Sequence, residues 1–240
     1  MNFPFRYYVQ LNVVLIFTCL MLTTNFAIAA KKTEKITKHQ EIITLPHQRK
    51  VSIQIISIDK SPQFPLDLMG FSKVIIKDSR NNLLGSFKLD SPNVGFKIYT
   101  VQGMPTPLIL FAKIDSIGAS EGFYSVYPYT IVNNQLKLLH QPNKNEWNSS
   151  TYLSGFYIGK LPNNGGLGAI WWTYTYENNE SRDDFHRYSI NIYKWDGKMF
   201  FLSKSLRTKD KYSDDKNALK AYGFDVPDLS LDFSNISATR

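Results

Sequence analysis

The chain has 240 residues, with 28 Lys and Arg against 20 Asp and Glu, a formal net charge of +8. That balance favours acidic partners such as anionic polysaccharide, lipid head groups or an acidic protein surface, and no nucleic-acid partner is expected. One cysteine, Cys19, excludes an intrachain disulfide and a cysteine-based zinc site.

The first segment reads as an export signal. Met1 to Asn12 carries one ionised side chain, Arg6, followed by the apolar run from Val13 to Leu22 and the small-residue ending Ala27-Ile28-Ala29-Ala30 before Lys31-Lys32. A positive start, an apolar centre of about ten residues and an A-x-A site make the three-part pattern of a cleavable secretory signal. Spanning a bilayer takes about 20 apolar residues, so this run is too short for an anchor. Residues 1–30 are therefore expected to be removed after Ala29 or Ala30, leaving a periplasmic or extracellular protein with no transmembrane segment. Cleavage also removes Cys19 and Arg6, so the mature chain is cysteine-free and its charge is +7.

Residues 31–40 are polar, without apolar periodicity, and read as a flexible leader into a β-rich domain over 41–226. Val51-Ser52-Ile53-Gln54-Ile55 alternates as a half-buried strand does, and Ser61-Pro62-Gln63-Phe64-Pro65 breaks it. Three hairpins then echo one another. Lys73 to Lys77 leads through Ser79-Arg80-Asn81-Asn82 to Leu83 to Phe87. Tyr124 to Val132 leads through Asn133-Asn134 to Gln135 to Leu139. Tyr188 to Trp195 leads through Asp196-Gly197 to Lys198 to Leu202. Asn-Asn and Asp-Gly tolerate the positive φ angles that tight hairpins require.

The last two hairpins are each preceded by a strand, a Pro/Gly turn and an apolar strand. These are Phe96 to Tyr99, Gly103 to Pro105 and Leu108 to Phe111, and then Phe156 to Gly159, Pro162 to Gly166 and Ala169 to Trp172. The result is a repeated unit of four antiparallel strands, as in propeller blades or an open sandwich. A helix is expected over Asp215 to Tyr222, capped by Ser213 or Asp214 and ended by Gly223, and 227–240 form a C-terminal tail.

The repeated unit, most clearly Ile192-Tyr193-Lys194-Trp195-Asp196-Gly197-Lys198-Met199-Phe200, resembles the blade repeats of FG-GAP and VCBS-type β-propellers over roughly Phe96 to Leu206. The resemblance implies a partial or degenerate propeller. Those families place a D-x-D-x-D-G calcium loop between the first two strands, where this chain reads Leu161-Pro162-Asn163-Asn164-Gly165-Gly166. Calcium needs several anionic oxygens, so no metal and no cofactor is expected.

Chemistry-bearing patterns are sparse. His39, His47, His140 and His186 show no metal-ligand spacing, and no G-x-S-x-G elbow occurs. The candidates are aromatic. Ile170, Trp172, Tyr174 and Tyr176 share one face of a strand, with Trp171 on the other. Rings left exposed there suit sugar stacking or a protein interface. The expected function is thus a non-catalytic envelope protein that contacts a protein or anionic polysaccharide through aromatic and basic residues. The alternative is an envelope-polymer hydrolase using carboxylates such as Glu121 or Asp184 near His186.

Overall fold

The structure is a computed structural model that describes residues 34–45, 49–61, 68–117, 122–140, 147–150, 154–174, 176–177, 179–181 and 183–227. The expected signal segment 1–30, Glu121, and all of the expected tail beyond Pro227 lie outside the described residues. The compact unit described below begins at Lys35.

Thirteen strands are described. The first sheet is β1 (Lys35–Leu45), β2 (Arg49–Asp59), β3 (Gly70–Asp78) and β4 (Leu83–Leu89), in that order. The middle sheet is β5 (Val94–Tyr99), β6 (Leu108–Ile117), β7 (Gly122–Val132) and β8 (Gln135–Leu138), with the short β9 (Asn148–Ser150) pairing to β7. The third is β10 (Ser154–Lys160), β11 (Leu167–Tyr174), β12 (Tyr188–Trp195) and β13 (Phe200–Arg207), and α1 (Asp215–Ala221) comes after it. All pairings within the sheets are antiparallel, and no sheet closes into a barrel.

The repeated four-stranded unit expected from the hairpin echoes is therefore present three times. Its turns form where the dipeptides place them. Asn133 and Asn134 both take positive φ, 51° and 61°, and Gly197 takes 98°. In the first and third hairpins an aspartate closes the turn. Asp78 accepts from the backbone N–H of Arg80 and Asn82, and Asp196 from those of Lys198 and Met199.

One boundary differs from the sequence expectation. Lys35 begins a strand, so most of the stretch read as a flexible leader is β1, paired residue for residue with β2 from Lys35↔Asp59 to Leu45↔Arg49. The strand lies at the sheet edge and buries only Ile43 and Leu45. An edge strand with most of both faces in water shows no apolar alternation, which is why its pattern reads as polar leader.

Packing explains the apolar patterns of the other strands. In β6, Ile109 and Phe111 join a core with Val51, Ile53, Ile55, Val74 and Ile76 of the first sheet. Leu108, Leu110 and Ala112 point the opposite way, into a core with Phe156, Ala169, Trp171 and Tyr193 of the third sheet. The middle sheet is thus buried on both faces, so β6 reads as an unbroken apolar run. The third sheet's far face, with Ile170, Trp172, Tyr174 and Ile190, packs on Ala218 and Leu219 of α1. Asp214 caps that helix, accepting from Asn217 N–H at 2.7 Å. The order is first sheet, middle sheet, third sheet, helix.

The first sheet buries one face only. Its strand β2 alternates: Val51, Ile53 and Ile55 are buried, while Ser52, Gln54 and Ile56 between them are half-buried. No described element covers that second face.

Candidate binding face

The aromatic strand singled out from the sequence is core. Trp171 is 3% exposed, Trp172 1% and Tyr174 9%. Trp171 stacks on Phe156 at 4.8 Å and meets Trp147 at 5.0 Å. Trp172 donates its indole N–H to Asp215 at 2.8 Å, tying β11 to α1. The two faces separate as strand alternation requires, but both are covered, one by the middle sheet and one by the helix. Trp171, Trp172 and Tyr174 are thus buried side chains and not an exposed aromatic surface. Tyr176, past the strand end, is 43% exposed and sets its ring edge-on to Tyr174 and His186.

His186 is buried as well, at 2% exposure. Its ring stacks on Tyr174 at 4.3 Å, and its backbone bridges Tyr212 in both directions. The carboxylate that it faces is Glu180, with Oε2 at 3.1 Å from Nδ1. Asp184 instead accepts from the backbone N–H of Ser181. Glu180 also accepts from Glu177 N–H at 2.7 Å and from Lys211, and these bonds, helped by His186, hold its carboxyl down to about 2. Glu177 accepts two bonds from one terminal nitrogen of Arg187 and one from Arg207, and Arg187, followed by Lys211, keeps its carboxyl below the usual range. Cations and anions in this cluster satisfy one another. A general base must reach a substrate proton, and the His186 ring is closed in by Tyr174, Tyr176 and Glu180.

The open face of the first sheet has a different character. Cross-strand register puts Lys38, Ile56, Lys73 and Lys88 in one row on it. The next row is Gln40, Gln54, Ile75 and Ser86, and the one after is Ile42, Ser52, Lys77 and Leu83. Thr44 and Lys50 extend it at one end, and Ile36, Ile58 and Phe71 close the other. No row on this face contains an Asp or Glu. Among the described residues, none of these five lysines makes an ion pair. Lys88 lies 3.8 Å over the Phe71 ring, and Lys77 donates to the Asn81 side chain at 2.9 Å. Lys73 and Lys88 stand directly opposite each other, an arrangement that is unfavourable without an anion nearby.

A groove of about 380 Å³ runs over the same face, with Gln40, Lys50, Ser52, Gln54, Ile75 and Lys77 along it. Sequence reading missed this site because Lys38, Lys73 and Lys88 are far apart along the chain and only strand register unites them. The available signal was the alternation in β2, which marks one face as polar.

These features describe a protein class: three successive four-stranded antiparallel sheets with a cationic outer face. Comparison with protein-family models, with curated proteins and with solved structures finds no match. Among the described residues, no helix is long and apolar enough to cross a membrane.

Proposed function

We propose that this protein is an exported, non-catalytic binding module of the cell envelope that holds an anionic partner, an envelope protein or an acidic polysaccharide, on the open face of its first sheet. The observation that carries the reading is the cationic row of Lys38, Lys73 and Lys88, with Lys77 and Lys50 beyond it, in cross-strand rows that contain no carboxylate, Asp78 standing at the groove's rim. Like charges set opposite one another cost stability, and an anionic partner turns that cost into attraction and faster encounter. Export follows from the amino-terminal pattern of charge, apolar run and Ala-x-Ala. The resemblance to FG-GAP and VCBS-type blades offers a family for the scaffold. It implies a partial or degenerate propeller, with an open sandwich as the alternative for three consecutive four-stranded sheets.

The basic part of the sequence expectation is kept in this reading, and the aromatic part is not. The test is retention of envelope components on immobilised protein at low salt, comparing the wild type with Lys73→Glu/Lys77→Glu. Lys204→Glu/Lys216→Glu, which reverses two exposed charges on β13 and α1, is the charge-matched control. Retention by wild type and control, lost in the first variant and at high salt, is the expected result. Equal retention by all three would remove the open face from the account.

A further inference from the structure

We infer, resting on the reading of the open face as the binding surface, that its ligand is a carboxylate-bearing polysaccharide, a uronic-acid chain laid along the strands. The cations stand in two bands. Lys73 faces Lys88 in one cross-strand row, and Lys77 lies four residues further along β3. At a strand rise of about 3.3 Å per residue, the bands are roughly 13 Å apart. Between them the face is neutral and polar, with the amides of Gln40 and Gln54 and the hydroxyl of Ser86 around Ile75. Primary amides and hydroxyls both donate and accept, which complements sugar hydroxyls, while lysines act as compact point charges for carboxylates spaced along a chain.

The groove, at about 380 Å³, falls within the size of small-ligand sites. One carboxylate also lines the groove, Asp78, which accepts from Arg80 and Asn82 N–H in the β3–β4 hairpin, against the two cations Lys50 and Lys77 there.

Other occupants match the face less well. A second copy docked face to face would set lysines against lysines. A lipid surface requires a continuous apolar plane, whereas each four-residue row of this face mixes apolar side chains, such as Ile42, Ile56, Ile75 and Leu83, with lysine, glutamine or serine.

The experiment is calorimetric titration of the purified exported protein with four probes. These are an oligogalacturonate, a neutral maltooligosaccharide of matched length, poly-L-glutamate, and phosphatidylglycerol–phosphatidylcholine vesicles. Oligogalacturonate is expected to bind, the neutral sugar not to bind, and polyglutamate to bind at least about tenfold more weakly, since it has carboxylates but no hydroxyls. Lys73→Glu/Lys77→Glu should abolish the signal, and Gln54→Leu should weaken it about tenfold, the scale of lost bonds to a buried amide, with thermal unfolding showing that both variants fold. Polyglutamate binding as tightly as the uronate, with Gln54→Leu unaffected, would overturn the inference in favour of an acidic polypeptide. Preferred binding to vesicles would overturn it in favour of lipid. Either result leaves the open face as the binding surface. Absence of uronate binding overturns the inference alone if envelope retention still depends on Lys73 and Lys77, and overturns both readings if it does not.

Discussion

Trp171 and Trp172 are adjacent in sequence and serve two different cores. Trp171 fills the space between the middle and third sheets against Phe156 and Trp147, and Trp172 fills the space under α1. Replacing either with Ala removes a large buried side chain and is expected to cost about 3–5 kcal/mol, read as a lower denaturant midpoint. A midpoint close to wild type would mean that these rings are not core. Glu180 carries a second residue-scale prediction. Its folded carboxyl is held down to about 2, against an ordinary 4.5, first by the Glu177 N–H and then by Lys211. A depressed folded pKa contributes stability that is fully present above 4.5 and is lost as pH falls towards about 2. Melting temperature measured against pH should therefore fall over that window, and Glu180→Gln should flatten the fall. An unchanged acid limb in the variant would show that Glu180 is not one of its causes.

The three hairpins illustrate what local chemistry makes legible at the scale of elements. Asn133-Asn134 and Asp196-Gly197 demand turns wherever they occur, so the β7–β8 and β12–β13 hairpins could be read directly. β1 could not, because its side chains are mostly in water and its pairing with β2 is all that defines it. The aromatic strand was legible as a strand, but which of its rings are covered was not. Its unbroken run Ala169-Ile170-Trp171-Trp172 is the mark of a strand covered on both faces, and exposure would have needed a polar residue at every second position. Contact between sheets is tightest where side chains are smallest. A Cβ on Gly85 of β4 would sit 2.6 Å from the Leu136 Cβ of β8. Gly85→Ala should therefore force the first and middle sheets apart at that edge, costing about 1–3 kcal/mol as overpacking does. Adding Leu136→Ala leaves the two Cβ atoms in conflict, so it should recover little, whereas Leu136→Gly should recover part of the loss. Full rescue by Leu136→Ala in denaturant unfolding would contradict the close approach.

The order of layers gives the whole molecule its asymmetry. The middle sheet is covered twice, the third sheet is covered by the middle sheet and α1, and the first sheet is covered once. Its free face carries Lys38, Lys50, Lys73, Lys77 and Lys88 without an ion pair among the described residues, in contrast to the Glu177–Glu180 cluster, where Arg187, Arg207 and Lys211 are neutralised in place. That contrast was not legible in the sequence, since net charge carries no address and the lysines of the face are scattered over β1 to β4. The measurement that tests the central claim most directly is lysine acylation followed by peptide mass spectrometry, with and without envelope extract at low salt. Selective protection of Lys38, Lys73, Lys77 and Lys88, with Lys194, Lys204 and Lys216 labelled equally in both samples, is the predicted result. Equal labelling of the first four, or protection confined to the third sheet and helix, would contradict it.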